Sequence, residues 1–453
     1  ISTGSQSSAA AGLNEKLSLA GMWILAAAFF FMPLNALRLT GGLAYGDIFA
    51  VLAFGVAALL LLTKARPLPK LPVWLWAGGM LLVLSMLIVQ MFPPDSLEPL
   101  NISFPDFVNE TSASTGVKLL GALIVIPLVV AIVVDSWKAV GMLINAWLAG
   151  VTVSCAVALS DAYLGTGLQL GLAFDQEMSR GFIELLDPAR HFGLTVHPNA
   201  LTLTAMLSIP LLLAKMTDPR RLMIFFPVLL LLLLGIVLSG SRIGVVGFAL
   251  GLVLTLAVNP EFRKTVFTWD PRVALTLVAG FLVLMLLLFV VPLHSFSLDE
   301  TQKNDGPAGV SRVSPDDSTA QESDALRRQY FEDSVEYIKE RPLVGYGFQW
   351  SEASHNIYLQ MPLAGGILAL VGFLTVMLGY LRQGWVLRDR VPAPVRGICL
   401  ALGISVAVYL VTGVLGNGVL SRYLYLAPAL LLSITLMLSR RQGQSGNAQS
   451  SEP

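Results

Sequence analysis

Arg38, Arg190, Arg242 and Arg422 each border a long apolar run. A guanidinium drawn towards the centre of a bilayer costs roughly 2.5–3.5 kcal/mol on insertion scales, so such residues persist where they pair or bind something. The planar fork of arginine suits the oxygens of a phosphate, and several forks together suit an anionic headgroup or a lipid-linked diphosphate. For any one of the four the simpler reading is a side chain reaching up to the headgroup layer; for four together that reading weakens. Histidine is scarce, being confined to His191, His197, His294 and His355. His355 stands in Ser354-His355-Asn356, at the start of another apolar run. A lone histidine is more often structural, yet imidazole is the side chain whose ordinary pKa, about 6.5, suits a general base near neutral pH.

Several other chemistries lack their residues. No Asp-x-Asp pair offers oxygen ligands to a divalent metal on an outward loop, and neither a P-loop nor a His-Glu-x-x-His motif is present. Carboxylates are nearly absent from the interiors of the apolar runs, which disfavours a proton relay. The sequence therefore points away from nucleotide hydrolysis, ion-coupled transport and metal catalysis, and no cofactor, metal or nucleic acid is expected. Cys155 and Cys399 both lie inside apolar runs and read as small core residues rather than a disulfide.

The elements that must position these side chains are membrane helices. Hydrophobic residues make up 55% of the 453-residue chain and charged residues 13%, with net charge zero and mean hydropathy +0.72. A soluble domain carries about twice that charge fraction, so lipid must take the excess apolar surface. The backbone must then satisfy itself as helices or as a closed barrel. Apolar runs of helix length, without the alternation of barrel strands, select helices. The fold class expected is an all-α polytopic bundle of about twelve spans, beginning near Leu17, Asp47, Leu71, Val117, Ala139, Phe192, Leu222, Ile243, Val273, Asn356, Val395 and Val419. Residues 164–174 are too short to span and read as a re-entrant or interfacial piece.

Lys and Arg in the short loops orient the bundle. One side collects Lys64, Arg66, Lys70, Lys138, Lys215, Arg220, Arg221, Arg263, Lys264, Arg272, Arg382, Arg388, Arg390, Arg396, Arg440 and Arg441; the other holds Arg38, Lys118, Arg180, Arg190, Arg242 and Arg422. Both termini are therefore expected on the cytoplasmic side. Five regions follow: a tag-like or disordered N-terminus over 1–12, helices one to nine over 13–294, an outward loop over 295–355, helices ten to twelve over 356–441, and a disordered tail over 442–453. Within the loop, 324–341 reads as an amphipathic helix with Leu326, Tyr330, Ser334 and Ile338 on one stripe, Phe331 and Val335 beside it, and Pro342 as its stop.

Three stretches resemble a known family, the bacterial O-antigen ligases with their relatives the O-antigen polymerases and O-linked protein oligosaccharyltransferases. The first is Arg190-His191-Phe192-Gly193-Leu194-Thr195-Val196-His197-Pro198-Asn199-Ala200, and the second is Ser239-Gly240-Ser241-Arg242-Ile243-Gly244. The third runs from Arg341-Pro342-Leu343-Val344-Gly345-Tyr346-Gly347-Phe348 through His355-Asn356-Ile357-Tyr358-Leu359-Gln360 to Gly365-Gly366. The resemblance implies a metal-independent, inverting glycosyltransferase of the GT-C-like kind at the periplasmic face of the bacterial inner membrane. It would move an O-antigen glycan from undecaprenyl diphosphate to a sugar hydroxyl of lipid A–core, completing lipopolysaccharide. Arg190 and Arg242 match the family's arginines and are expected to hold the diphosphate; His355 matches its catalytic histidine. Arg38, His197, Asn199, Asn356, Gln360 and Arg422 are candidate supporting residues. A growing glycan or a protein side chain is an alternative acceptor, and a lipid-linked glycan flippase is an alternative of a different class. The resemblance assigns no role to His191.

Overall fold

The computed structural model describes residues 3–39, 44–94, 112–169, 190–267, 270–289, 318–350, 354, 356–416 and 426–449. His294, His355, Arg422 and most of the outward loop before residue 318 lie outside the described residues. Fifteen α-helices occur among them: α1 (Thr3–Phe31), α2 (Tyr45–Leu62), α3 (Val73–Met91), α4 (Ser112–Leu120), α5 (Ile126–Val133), α6 (Trp137–Leu164), α7 (Pro198–Leu213), α8 (Pro219–Leu238), α9 (Arg242–Val258), α10 (Pro260–Phe267), α11 (Pro271–Phe289), α12 (Ser318–Glu340), α13 (Ile357–Leu387), α14 (Ala393–Thr412) and α15 (Leu426–Gln449). The described residues contain no β-strand, only an isolated bridge between Arg38 and Ala44.

Apolar composition makes these segments helical, and local chemistry sets their ends. Ser136, Asp218 and Asn356 cap α6, α8 and α13, accepting the amides of Ala139, Arg221 and Tyr358 at 3.3, 2.9 and 2.9 Å. Pro198 and Pro219 occupy first helical positions, where the missing N–H costs nothing. Exposed Val51, Phe54, Leu62, Val73, Trp76, Met80, Leu87, Leu275 and Leu282 stud the helix surfaces. Water would not tolerate so much apolar surface, and lipid does.

Among the described residues eight helices are long and apolar enough to cross a membrane, or nine if α9 and α10, bent by 97°, form one span. Shorter apolar helices occupy Pro198–Leu213, Pro271–Gly280 and Leu426–Arg440. The chain is thus an all-α polytopic membrane protein, although length and composition alone do not reach the expected count of twelve. Cys155 and Cys399 are buried free thiols.

Helix α12 ends one residue from the expected position, ahead of Pro342. Its Tyr330 and Ser334 are buried and Phe331, offset from them on the expected stripe, is exposed, so one face of the helix meets the bundle. The loop after α12 inserts into a break in α13. At Gly365 (φ −144°, ψ 27°) and Gly366 (φ 67°, ψ −168°) the helix is interrupted. The backbone groups released there are taken up by the loop and by α3: Tyr346 N donates to Leu363 O (2.7 Å), Gly347 N to Ala364 O (2.9 Å), Ile367 N to Pro342 O (2.9 Å) and Ser85 Oγ to Gly365 O (2.7 Å). Arg341 also donates to Phe92 O at 2.6 Å, so the foot of α12 is tied to the end of α3.

Candidate active site

The first motif stretch enters α7 through a buried scaffold. Gly165, in the left-handed region at φ 60°, ends α6. The chain then folds back so that the Asp161 carboxylate accepts the amides of Leu168 (2.8 Å) and Gln169 (2.7 Å) and the hydroxyl of Thr166. Gln169, fully buried, bridges to the motif: its Oε1 accepts from Phe192 N (3.2 Å) and Gly193 N (3.3 Å). Those two donors fix the amide's orientation and turn its NH₂ towards His191 Nδ1 at 3.3 Å. The imidazole must therefore present a lone pair there, which makes His191 a buried structural acceptor. Gly193, at φ 57°, packs on the backbone of Ser154, where a Cβ would collide with the Ser154 carbonyl. Ser154 Oγ accepts Leu194 N at 3.0 Å.

This scaffold sets Arg190 against the second motif. Arg190 Nε donates to Ser239 O at 2.7 Å, and Arg190 Nη2 donates to Asn199 Oδ1 at 3.0 Å. The turn that receives it runs through Gly240 (φ 61°) into Arg242, the first residue of α9. A Cβ at Gly240 would sit 3.4 Å from the Arg190 side chain, so glycine here serves both the turn and the close approach of the guanidinium stem. Ser239 is itself held by the Thr202 hydroxyl of α7 and donates to Ile236 O at 2.6 Å. Arg190 and Arg242 thus border one short, fully braced turn, 52 residues apart in sequence. His197 caps α7, with Nδ1 accepting Asn199 N at 3.0 Å.

The third motif reaches the same end of the bundle through α14. Ile357 N donates to Gly413 O (2.9 Å) and Tyr358 Oη to Leu410 O (2.6 Å), which fastens the start of α13 to the end of α14. A Cβ at Gly416, just beyond α14, would lie 3.2 Å from Ile243, the neighbour of Arg242. Ser354 Oγ donates to Asn356 O at 3.0 Å, so the residues on either side of His355 are held. Gln360, one turn into α13, is fully buried, and neither end of its amide has a hydrogen-bond partner among the described residues.

The structure therefore brings Arg190, Arg242, His197 and Asn199 into one neighbourhood and sets Asn356 and Gln360 on an adjoining helix. His355 and Arg422 fall outside the described residues. The residues that the sequence reading missed are Asp161, Gln169, Ser154 and Asn35. Asp161 had a signal, a carboxylate inside an apolar helix, whereas the other three had none. Among the described residues no group of three or more His, Cys, Asp or Glu side chains could hold a metal ion. At the opposite end, Arg66 pairs with Asp135 and Arg440 donates to Ala131 O at 3.1 Å.

Fold and site together define a multi-pass membrane protein with an arginine-bordered polar surface at one end of its helices. Residues 227–374, from within α8 to within α13, match the sequence model of the O-antigen ligase family. The second and third motif stretches lie within the matched residues, and the first lies ahead of them. No curated protein matches the chain.

Proposed function

We propose that the protein is a glycosyltransferase that moves an O-antigen glycan from undecaprenyl diphosphate to a sugar hydroxyl of lipid A–core. The reading places the site on the periplasmic side of a bacterial inner membrane, with both termini in the cytoplasm and residues 295–355 outside. The observation that carries it is the pairing of Arg190 and Arg242 around the 239–242 turn. Two guanidiniums held by a braced backbone suit a diphosphate, which is already a good leaving group once its departing charge is met. Arg242 also heads a helix, where the backbone favours an anion.

In this mechanism His355 takes the proton of the acceptor hydroxyl as that oxygen attacks the anomeric carbon. A single in-line displacement inverts that carbon. The apolar helix surfaces hold the polyprenyl tail, so the reacting phosphate stays at the interface. Charge stabilisation by arginine stands in for a metal in this reading.

Lipopolysaccharide banding of a deletion strain tests the function. Loss of the whole ladder, with lipid-linked glycan accumulating, is the expected result. A remaining single-repeat band would make the enzyme a polymerase, and an intact ladder with unglycosylated protein would make it a protein oligosaccharyltransferase. An unchanged ladder and unchanged protein glycosylation would refute the proposal.

A further inference from the structure

The connection between α1 and α2 reaches the site, and the roles given to Arg190, Arg242 and His355 leave it unused. α1 ends at Phe31, a 3-10 turn covers Met32–Leu34, and the chain passes Arg38 before α2 starts at Tyr45. Two hydrogen bonds fasten this connection to the loop that follows Arg190. Ala36 N donates to Leu194 O at 3.0 Å, and Val196 N donates to Asn35 Oδ1 at 3.0 Å. Asn35 and Ala36 are buried, whereas Arg38 is exposed. Arg38 Nε donates back to Asn35 O at 3.3 Å, which folds its side chain over the residue that grips Val196. The bridge between Arg38 and Ala44 holds the backbone of the connection. Val196 adjoins His197, the cap whose Nδ1 takes the Asn199 amide, and Asn199 in turn carries Arg190. Arg38 and Arg190 are thus joined through one rim of hydrogen bonds and adjacent residues.

Charge accounting says what a third guanidinium on that rim would do; the argument rests on the polyprenyl-diphosphate donor proposed above. While joined to its glycan, the diphosphate carries two negative charges, and Arg190 with Arg242 matches them. Transfer forms the bond from acceptor oxygen to anomeric carbon and breaks the bond from that carbon to the phosphate oxygen. The electron pair stays on the phosphate, and the acceptor's proton passes to the base. The leaving group then ends in a terminal phosphate whose second ionisation, with pKa about 6, adds close to one more negative charge near neutral pH. We propose that Arg38 is the third cation of the site, meeting the charge that develops on the lipid diphosphate as the glycosyl bond breaks. An interaction made mainly in the transition state raises turnover more than it raises substrate affinity.

The test uses the full chain, purified as wild type and as Arg38→Ala, Arg38→Gln and Arg38→Lys, with thermal unfolding recorded for each. The probes are a polyprenyl-diphosphate-linked oligosaccharide as donor and polyprenyl diphosphate itself as product. The expected result is a fall in kcat of about 10²–10³-fold for the Ala and Gln variants, with partial recovery in Lys. The KM for donor should stay within about threefold of wild type, while inhibition by polyprenyl diphosphate weakens by about tenfold or more. Should the Ala variant unfold, the Gln and Lys variants decide. A rise in KM with kcat unchanged would make Arg38 an ordinary donor contact and overturn the proposal, as would variants that behave like wild type. Wild-type protein that neither binds nor turns over the donor would instead remove the functional reading, and this inference with it.

Discussion

Asn199→Asp asks directly whether Arg190 faces an anion. Asn199 Oδ1 accepts from Arg190 Nη2 at 3.0 Å, and the Asn199 backbone is held by His197, so the substitution keeps both shape and acceptor while adding a negative charge. A phosphate on the far side of the same guanidinium would lie about 5–6 Å from the new carboxylate. At an effective dielectric of about 20 the repulsion is roughly 3 kcal/mol. Each 1.4 kcal/mol is about tenfold in affinity, so donor binding should weaken about 10²-fold. Raising the salt should shrink the penalty, because the site is only partly buried. Stability should move the other way: the hydrogen bond from the guanidinium to a neutral amide becomes an ion pair, worth about 0–1 kcal/mol at such a position. The assay is binding of a polyprenyl-diphosphate-linked glycan to purified protein at low and high ionic strength, with thermal unfolding alongside. An Asp variant that is at least as stable as wild type yet binds donor equally well at low salt would refute the placement of the diphosphate against Arg190.

Gln360→Met should raise the unfolding temperature. It removes a fully buried amide with neither end paired among the described residues, and such a group costs about 1–3 kcal/mol when left unsatisfied; a lowered midpoint would mean that the amide is paired within the folded protein. His355→Gln should abolish transfer while leaving donor binding intact, because the amide cannot take a proton and general-base catalysis is worth about 10²–10⁴-fold. For the same reason wild-type activity should fall on acidification as the base becomes protonated, and near wild-type rates in the Gln variant would reduce His355 to a positioning residue.

Much of the architecture was legible before any coordinates. The apolar runs gave the helices, because burial in lipid needs a continuous hydrophobic stretch and a self-satisfied backbone. Pro342 and the 324–341 periodicity gave α12 to within six residues of its start and one of its end. Which residues of its stripe are covered was not legible, because helical spacing gives two adjoining flanks to a stripe and only packing chooses between them: Tyr330 and Ser334 are buried and Phe331 exposed. His191 had no role assigned from the sequence, and burial against Gln169 makes it a structural acceptor.

The residue types at the site were likewise open to reading: arginines beside apolar runs declare themselves through their cost in lipid. By itself the sequence determined the class of protein, the arginines beside apolar runs and the motif stretches. Only the tertiary structure decided that Arg190 rests on the turn before Arg242, that Asp161 and Gln169 brace its loop, and that the α1–α2 connection grips Val196. Hydropathy is a property of neighbouring residues and survives in a linear string. A loop amide or carbonyl is chemically the same wherever it occurs, so its partner 40 or 161 residues away is chosen only when the helices pack.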